Sequence, residues 1–241
     1  MAARSRPRPS EAVHELHDDH AHRRSNEAIE NYAKAIYALE QRTGAPVTTN
    51  ALAERLGVTA ASASSMAKKL SGMGLVTHVP YKGVKLTDRG RRVALEVLRH
   101  HRLLELYLAE SLGVPWDRVH DEAEVLEHVL SEELEELIAM KLGNPTHDPH
   151  GDPIPSRELT IEEAETESLA RLDVGARGRF VRISDSNPQM LRYLAKEGIT
   201  PGDGFEVVDK QPFDGPLSMR FGNRAHVLGG ELARAMRVVL E

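Results

Sequence analysis

The most constraining stretch of this sequence runs from Thr48 to Thr87, where two helix-capping threonines stand either side of a tight stop. Thr48-Thr49-Asn50 offers an N-cap for a short helix, Ala51 to Leu56, which Gly57 ends. Thr59 then caps a second helix, Ala60 to Met73, closed by Gly74. Leu75 to Val79 and Val84 to Thr87 flank Pro80 to Gly83 and predict a small hairpin. Ahead of these, Ile29, Tyr32, Ala33, Ile36, Tyr37 and Leu39 recur at helical spacing from about Asn26 to Thr43-Gly44. Helix, short helix, turn, helix and hairpin is the layout of a winged helix-turn-helix. The turn Gly57-Val58-Thr59 sets the second helix at an angle that lets its N-terminal end enter a DNA major groove.

Charge agrees with that layout. The chain carries a net charge of −6, which by itself disfavours a nucleic-acid partner. From Arg55 to Arg92, however, eight basic residues face the single acidic Asp88, whereas from Asp121 to Ser168 fifteen acidic residues face Lys141 and Arg157. One segment suits phosphates and the other suits cations or water. Candidate contacts to double-stranded operator DNA are Thr59, Ala61, Ser62, Ser64, Ser65, Lys68, Lys69 and, on the wing, Lys82, with Lys85 beside it. The plainer alternative is a three-helix core in which the Ser/Ala run merely packs tightly.

Beyond the hairpin, Asp88 caps a long helix, Arg89 to Leu112, which Gly113-Val114-Pro115 breaks. A second long helix is expected from Val119 to Leu142, with Val125, Leu126, Val129, Leu130, Leu134, Leu137 and Ile138 as its stripe. The two apolar stripes read as a homodimer seam or as intrachain core. An irregular Pro/Gly/His segment reaches Pro155, and an acidic patch, Glu162 to Glu167, reads as a linker. From Leu172 the pattern changes to short β-like runs at Val174-Gly175, Phe180 to Ile183, Phe205 to Val208 and Val227-Leu228, with one helix from Pro188 to Glu197. Short strands separated by Gly/Pro turns predict a small barrel.

The fold class is therefore mainly α: a winged helix-turn-helix and a helical dimerisation and metal domain, with a small all-β SH3-like barrel at the C-terminus. The expected divisions are a disordered tail over 1–25, a DNA-binding domain over 26–96, a helical domain over 97–158, a linker over 159–171 and the barrel over 172–241. No apolar run approaches the roughly 18 residues of a membrane span. The N-terminus lacks the apolar stretch of a signal peptide. Cys is absent, which removes thiolate metal sites and fits a cytoplasmic protein.

A second chemical signal sits on the two long helices. His101 and Glu105 are four residues apart, as are His120 and Glu124, and Glu124 and His128, while Glu127 follows Glu124 by three. Such spacings put side chains on one helical face. Imidazoles with several carboxylates and no thiolate suit Mn²⁺ or Fe²⁺, and Zn²⁺ also binds such a set. Each pair alone is more often a solvated face; their convergence behind a winged helix argues for a site. His14, His17, His20 and His22 in the tail could bind metal, with a solvated tail as the plainer reading; His147 and His150 in the Pro/Gly loop read as structural, and His226 lies in the barrel with no partner visible in the sequence. Trp116 reads as a core or interface anchor. Two rivals remain: a metal-dependent hydrolase, for which no HExxH, nucleophile elbow or Gly-rich phosphate loop is present, and a winged-helix repressor sensing an organic ligand.

The segments Tyr32 to Glu40, His101 to Glu105, Val119 to His128 and Gly151 to Pro155 carry a resemblance. From about Glu27 to its end the chain resembles the diphtheria-toxin-repressor family of metal-dependent regulators, and within it the manganese-transport-regulator branch of actinobacteria. The resemblance implies a metal-activated repressor of metal-homeostasis genes that binds DNA as a homodimer, with an iron-dependent regulator of the same family as the alternative. It implies a primary metal site at Asn31, Glu124, Glu127 and His128. An ancillary site follows at His101, Glu105 and His120, completed from the C-terminal domain, with Asp185 as the candidate. Thr59, Ala61 and Ser65 fall where the family contacts bases. Glu124 stands where iron-sensing members carry Cys, and a harder oxygen ligand favours manganese. Asn31 offers an uncharged amide oxygen where relatives carry Met or Asp; the alternative is a surface residue of the first helix.

Overall fold

The computed structural model describes residues 9–213 and 215–241, with side chains from residue 25 onward. The chain divides into two compact units, Met1–Val97 and Leu98–Glu241.

The first unit holds α1 (Pro9–Thr43), α2 (Thr49–Leu56), α3 (Ala60–Gly72), the hairpin β1 (Val76–Val79) and β2 (Gly83–Leu86), and the start of α4 (Asp88–Leu112). Helix α1 starts well before the Asn26 expected from apolar spacing. Proline is tolerated in a first turn, and no Gly or Pro interrupts the chain from Ser10 to Thr43. Residues 1–8 of the expected tail lie outside the described residues. The two threonine caps form as read: Thr48 Oγ1 accepts from Ala51 N–H at 3.2 Å and Thr59 Oγ1 from Ser62 N–H at 3.1 Å.

Helix α3 buries Ala63, Ala67 and Leu70, one helical stripe, and α2 buries Leu52 and Ala53. The small alanines allow the two helices to approach closely. In the hairpin Val76 pairs with Leu86, both buried, and Thr77 with Lys85, both exposed. Val47 adds a short bridge to Val84, with backbone bonds of 2.8 and 2.9 Å running both ways. Glu40 on α1 accepts the Leu86 N–H at 2.9 Å and lies 3.5 Å from Arg91, so α1, the hairpin and α4 share one buried carboxylate.

The second unit continues α4 and adds α5 (Val119–Leu126) and α6 (Glu132–Lys141). The single helix expected over Val119 to Leu142 is therefore two. Ser131 adopts an extended conformation and its side chain accepts from Leu134 N–H, starting a new helix where the apolar pattern ran straight through. Val125, Val129, Leu134 and Leu137, taken as part of one stripe, are exposed. The break leaves Glu127 and His128 in the turn just after α5.

The C-terminal part is a six-stranded antiparallel sheet in the order β3-β8-β4-β5-β6-β7. Its strands are β3 (Glu167–Ser168), β4 (Arg177–Ile183), β5 (Gly204–Lys210), β6 (Leu217–Phe221), β7 (Arg224–Leu228) and β8 (Met236–Leu240). Helix α7 spans Pro188–Glu197, as read from sequence, and α8 spans Gly230–Ala235. Phe180, Ile183, Leu191, Leu194, Val207, Met219 and Met236 are among its core. The sheet has β3 and β7 at its edges, and no ladder joins those two among the described residues. A closed barrel is thus not what the pairing gives. Val174-Gly175, read as β-like, is turn rather than strand.

The irregular segment after α6 is held from both sides. Arg99 on α4 donates to Pro155 O at 2.7 Å, and Arg102 donates to Pro153 O. On the other side Ile183 N–H donates to His150 O at 2.9 Å. No helix among the described residues is long and apolar enough to cross a membrane.

Candidate metal centre and nucleic-acid interface

Helix α4 presents His101 and, one turn later, Glu105; α5 presents His120 in its first turn; Asp185 follows the end of β4. His101 Nε2 lies 3.0 Å from Glu105 Oε1 and 3.1 Å from His120 Nδ1. His120 Nδ1 is 3.3 Å from Glu105 Oε1 and 2.9 Å from Asp185 Oδ2. One ligand atom from each of the four falls within 4.8 Å of the others. With metal–ligand bonds of about 2.0–2.2 Å, adjacent ligands of a tetrahedron or octahedron stand roughly 2.8–3.6 Å apart. The spacing and the nitrogen/oxygen donor set therefore fit a divalent cation.

The other imidazole nitrogen of His101 faces a second group. His101 Nδ1 is 2.5 Å from Glu127 Oε2, and His101, Glu124 and Glu127 again place ligand atoms within 4.8 Å. His128 Nε2 lies 3.4 Å from Glu127 Oε1. Glu127 is buried because the chain turns inward after α5, and Glu124 is half-buried. Asn31 belongs to the first unit, on α1, half-buried, and its Oδ1 has no hydrogen-bond partner among the described residues.

A third group was not read from sequence: Glu105, Asp148 and His150, all buried. Asp148 Oδ1 accepts the N–H groups of His150 and Asp152 at 2.9 Å each. His150 Nε2 donates to Trp116 O at 2.8 Å, leaving Nδ1 toward Glu105 Oε2 at 3.9 Å. Trp116 stacks on His150 with ring centres 5.8 Å apart and donates from Nε1 to Leu191 O, so it anchors the loop to the sheet domain. The available signal was the Asp-Pro-His run within the Pro/Gly loop, two potential ligands two residues apart. Nothing in it distinguishes a ligand loop from a solvated one.

Electrostatics follow from this crowding. Burial alone would raise Glu105, but hydrogen bonds from His101 and His120, with the nearby imidazole charges, hold it well below the carboxylate range. Its hydrogen bonds to Asp185 and Glu105 push His120 up to about 10. Burial, with the charges of Asp152 and Glu105, drives Asp148 up. A ligand must shed its proton to coordinate, so cation binding at His120 should release one. Affinity should then climb by up to about tenfold per pH unit between pH 7 and 10. Calorimetry in two buffers of different ionisation heat checks this; an unchanged heat would mean that His120 is already neutral. The sign for folding is opposite. The His120 pairing stabilises the apo fold fully below its ordinary value of 6.5, and that contribution is lost as pH rises through about 10.

In the first unit, Thr59, Ala61, Ser62, Ser65, Lys68 and Lys69 are exposed on or beside α3, and Ser64 is half-buried. Thr59 and Ser62 share a hydroxyl–hydroxyl bond of 2.9 Å, and Lys69 Nζ donates to Ser25 Oγ at 2.7 Å. Lys82 is exposed at the hairpin tip.

Residues 26–84 match the iron-dependent repressor N-terminal DNA-binding domain, residues 87–156 the metal-binding and dimerisation domain of the same repressors, and residues 167–240 the FeoA domain. The iron-dependent repressor IdeR of Mycobacterium tuberculosis is 37% identical over 224 residues, 88% of this chain and 96% of that protein. The diphtheria toxin repressor of Corynebacterium jeikeium is 30% identical over 235 residues, again covering 88% and 96%. A solved manganese-dependent transcriptional repressor, in complex with manganese, superposes with a TM-score of 0.80 at 42% identity, covering 88% of this chain and all of that one.

A DNA-binding helical domain followed by His/carboxylate clusters defines a metal-dependent transcriptional regulator, not an enzyme. The chain belongs to the family of the iron-dependent repressor IdeR and the diphtheria toxin repressor.

Proposed function

We propose that this chain is a manganese-activated repressor of metal-homeostasis genes, acting in the cytoplasm as a homodimer on operator DNA. The observation that carries the choice of metal is the donor set: carboxylates and imidazoles without a thiolate, with Glu124 beside Glu127 and no Cys anywhere in the chain. The primary ligands are Glu124, Glu127 and His128, with Asn31 as the amide ligand from α1. The ancillary set is His101, Glu105, His120 and Asp185, and Asp148 and His150 extend it through the second oxygen of Glu105. A bound divalent cation supplies the positive charge that offsets these carboxylates.

The chain's own residues do the rest. Thr59, Ala61 and Ser65 read base edges from the N-terminal end of α3; Ser62, Ser64, Lys68, Lys69 and Lys82 position the backbone. The exposed Val125, Val129, Leu134, Leu137 and Met140 form the dimer seam, supported by the match to a dimerisation domain. The division into DNA-binding (26–96), helical (97–158), linker (159–171) and SH3-like (172–241) domains is kept in this reading. An iron-responsive role is the second reading, favoured by the identity to IdeR.

The test is DNA binding by metal-stripped protein titrated with Mn²⁺, Fe²⁺, Zn²⁺ or Mg²⁺, using the promoter next to its own gene. Binding should appear with micromolar Mn²⁺ and be lost in Glu127→Ala. Activation by Fe²⁺ in preference to Mn²⁺ would select the second reading, and binding indifferent to chelation would sink both.

A further inference from the structure

Helix α5 stops at Leu126 with Glu127 as its C-cap, and carbonyls at such an end lose their helical partners. The last turn holds no basic residue that could take them. The partner comes from another helix: His100 on α4 points Nδ1 at Glu127 O, 3.2 Å away. On its other side His100 Nε2 lies 2.9 Å from Glu135 Oε2 of α6. All three residues are buried. Burial alone would raise Glu135, but hydrogen bonds from His100 and Arg99 hold it below its ordinary value, so it stands as a carboxylate. A carbonyl and a carboxylate only accept, so the ring donates from both nitrogens and is positively charged. A cation is favourable at a helix C-terminus, where the backbone dipoles leave partial negative charge.

Three consecutive residues of α4 thus divide the work. Arg99 donates from Nε to Glu135 Oε1 at 2.5 Å and from Nη1 to Pro155 O at 2.7 Å, which holds the carboxylate that braces His100. His101 meets the side chain of Glu127 at 2.5 Å, while His100 meets its carbonyl. The carboxylate of Glu127 is a proposed ligand, and its backbone decides where that carboxylate and the following His128 stand. Within the chain little else holds this turn. Val125 and Val129 beside it are exposed, and Val129 N–H reaches back to Leu126 O at 3.1 Å.

We propose that His100 is a positioning residue of the primary metal site: by capping α5 from α4 it sets how far Glu127 and His128 reach toward the cation. This deepens the manganese reading and rests on it.

The experiment uses the full chain, stripped of metal and titrated with Mn²⁺, with free Mn²⁺ followed by electron paramagnetic resonance. His100→Leu fills similar space without a donor. Mn²⁺ affinity at the primary site should fall by about 10- to 100-fold, the cost of losing a group that supports a ligand. His100→Lys, whose ammonium can donate to both acceptors, should recover most of that loss. Co²⁺ bound to His100→Leu should show shifted visible bands, because its ligands stand differently, and His100→Lys should return them toward wild type. The Tm of each metal-free variant is measured alongside. A lowered Tm with wild-type Mn²⁺ affinity and wild-type Co²⁺ bands would make His100 a fold-stabilising residue only and overturn the proposal. Should His100→Leu not fold, Glu135→Gln removes the brace while keeping its shape. Its Mn²⁺ affinity should fall in the same direction, and unchanged affinity would overturn the proposal as well. Wild-type protein that binds no Mn²⁺ would sink the manganese reading and this inference with it, whereas wild-type binding with unaltered variants would sink this inference alone.

Discussion

If the proposed ancillary cluster binds a divalent cation, replacing Glu105 with glutamine is expected to weaken that binding and, with it, much of the metal-dependent gain in DNA binding. The reasoning starts from position. Glu105 lies one turn beyond His101 on α4 and is 1% exposed, so no water can take over its role. Oε1 faces His101 and His120 at 3.0 and 3.3 Å, while Oε2 faces His150 at 3.9 Å. The two oxygens thus serve different groups, and among the described residues no other carboxylate belongs to both. Glutamine keeps the shape but removes the charge and turns one acceptor into a donor aimed at imidazole. Disturbing residues that merely support metal ligands costs about 10- to 100-fold in affinity. Loss of a buried ligand shared by two groups should therefore cost about 100-fold or more. Metal counting on the purified variant should find fewer ions per chain than in wild type, and DNA titrations should need more Mn²⁺. Wild-type stoichiometry and affinity in Glu105→Gln would mean that the ancillary group is only a hydrogen-bonded core cluster.

The position of Glu105 was legible in the sequence because it depends on one helix. His101 and Glu105 share a face of α4 by spacing alone, and α4 spans Asp88–Leu112, within one residue of the expected Arg89 to Leu112. The two threonine caps and the hairpin were equally local, each set by a side chain that bonds its own neighbouring backbone. What escaped were features decided by distant partners. The second long helix split because Ser131 bonded its own next turn, while the exposed Val125 and Val129 kept up the helical pattern across the gap. Strand β6 does alternate, with Leu217, Met219 and Phe221 buried and Ser218 and Arg220 between them, and escaped because the stretch is only five residues long; β8, Met236 to Leu240, ends in an unbroken apolar run and pairs with β4. Asp148 was not singled out, and His150 read as a structural residue of the loop rather than part of a cluster. Their burial comes from Trp116, Arg102 and β4, which lie 27 residues or more away along the chain. Asp185, by contrast, was the candidate that the resemblance gave from the C-terminal domain, and it lies 2.9 Å from His120; its role as a ligand belongs to the proposal.

Gly151 is where those distant partners meet, and Gly151→Ala is expected to damage folding and metal binding together. Its φ is +87°, which only glycine adopts without strain. A Cβ there would stand 1.8 Å from the carbonyl oxygen of Val181 and 2.8 Å from its carbon. Both are backbone atoms of β4, so no side chain can swing aside. Either the loop must lift or the strand must move. Lifting the loop breaks the bond from Ile183 N–H to His150 O and shifts the His150 that stacks on Trp116. Moving the strand displaces Asp185, two residues past Ile183, from His120. Lost hydrogen bonds of about 1 kcal/mol each and a left-handed alanine costing about 1–2 kcal/mol put the penalty at roughly 3 kcal/mol or more. Thermal unfolding of the apo protein should show a Tm lower by several degrees, and Mn²⁺ should restore less stability than in wild type, because its ligands no longer converge. A variant with wild-type Tm and full metal stabilisation would show that loop and strand are not packed as closely as these distances require. Gly151→Ala thus tests the clamp that brings helical and sheet residues to one cluster, whereas Glu105→Gln tests the cluster itself.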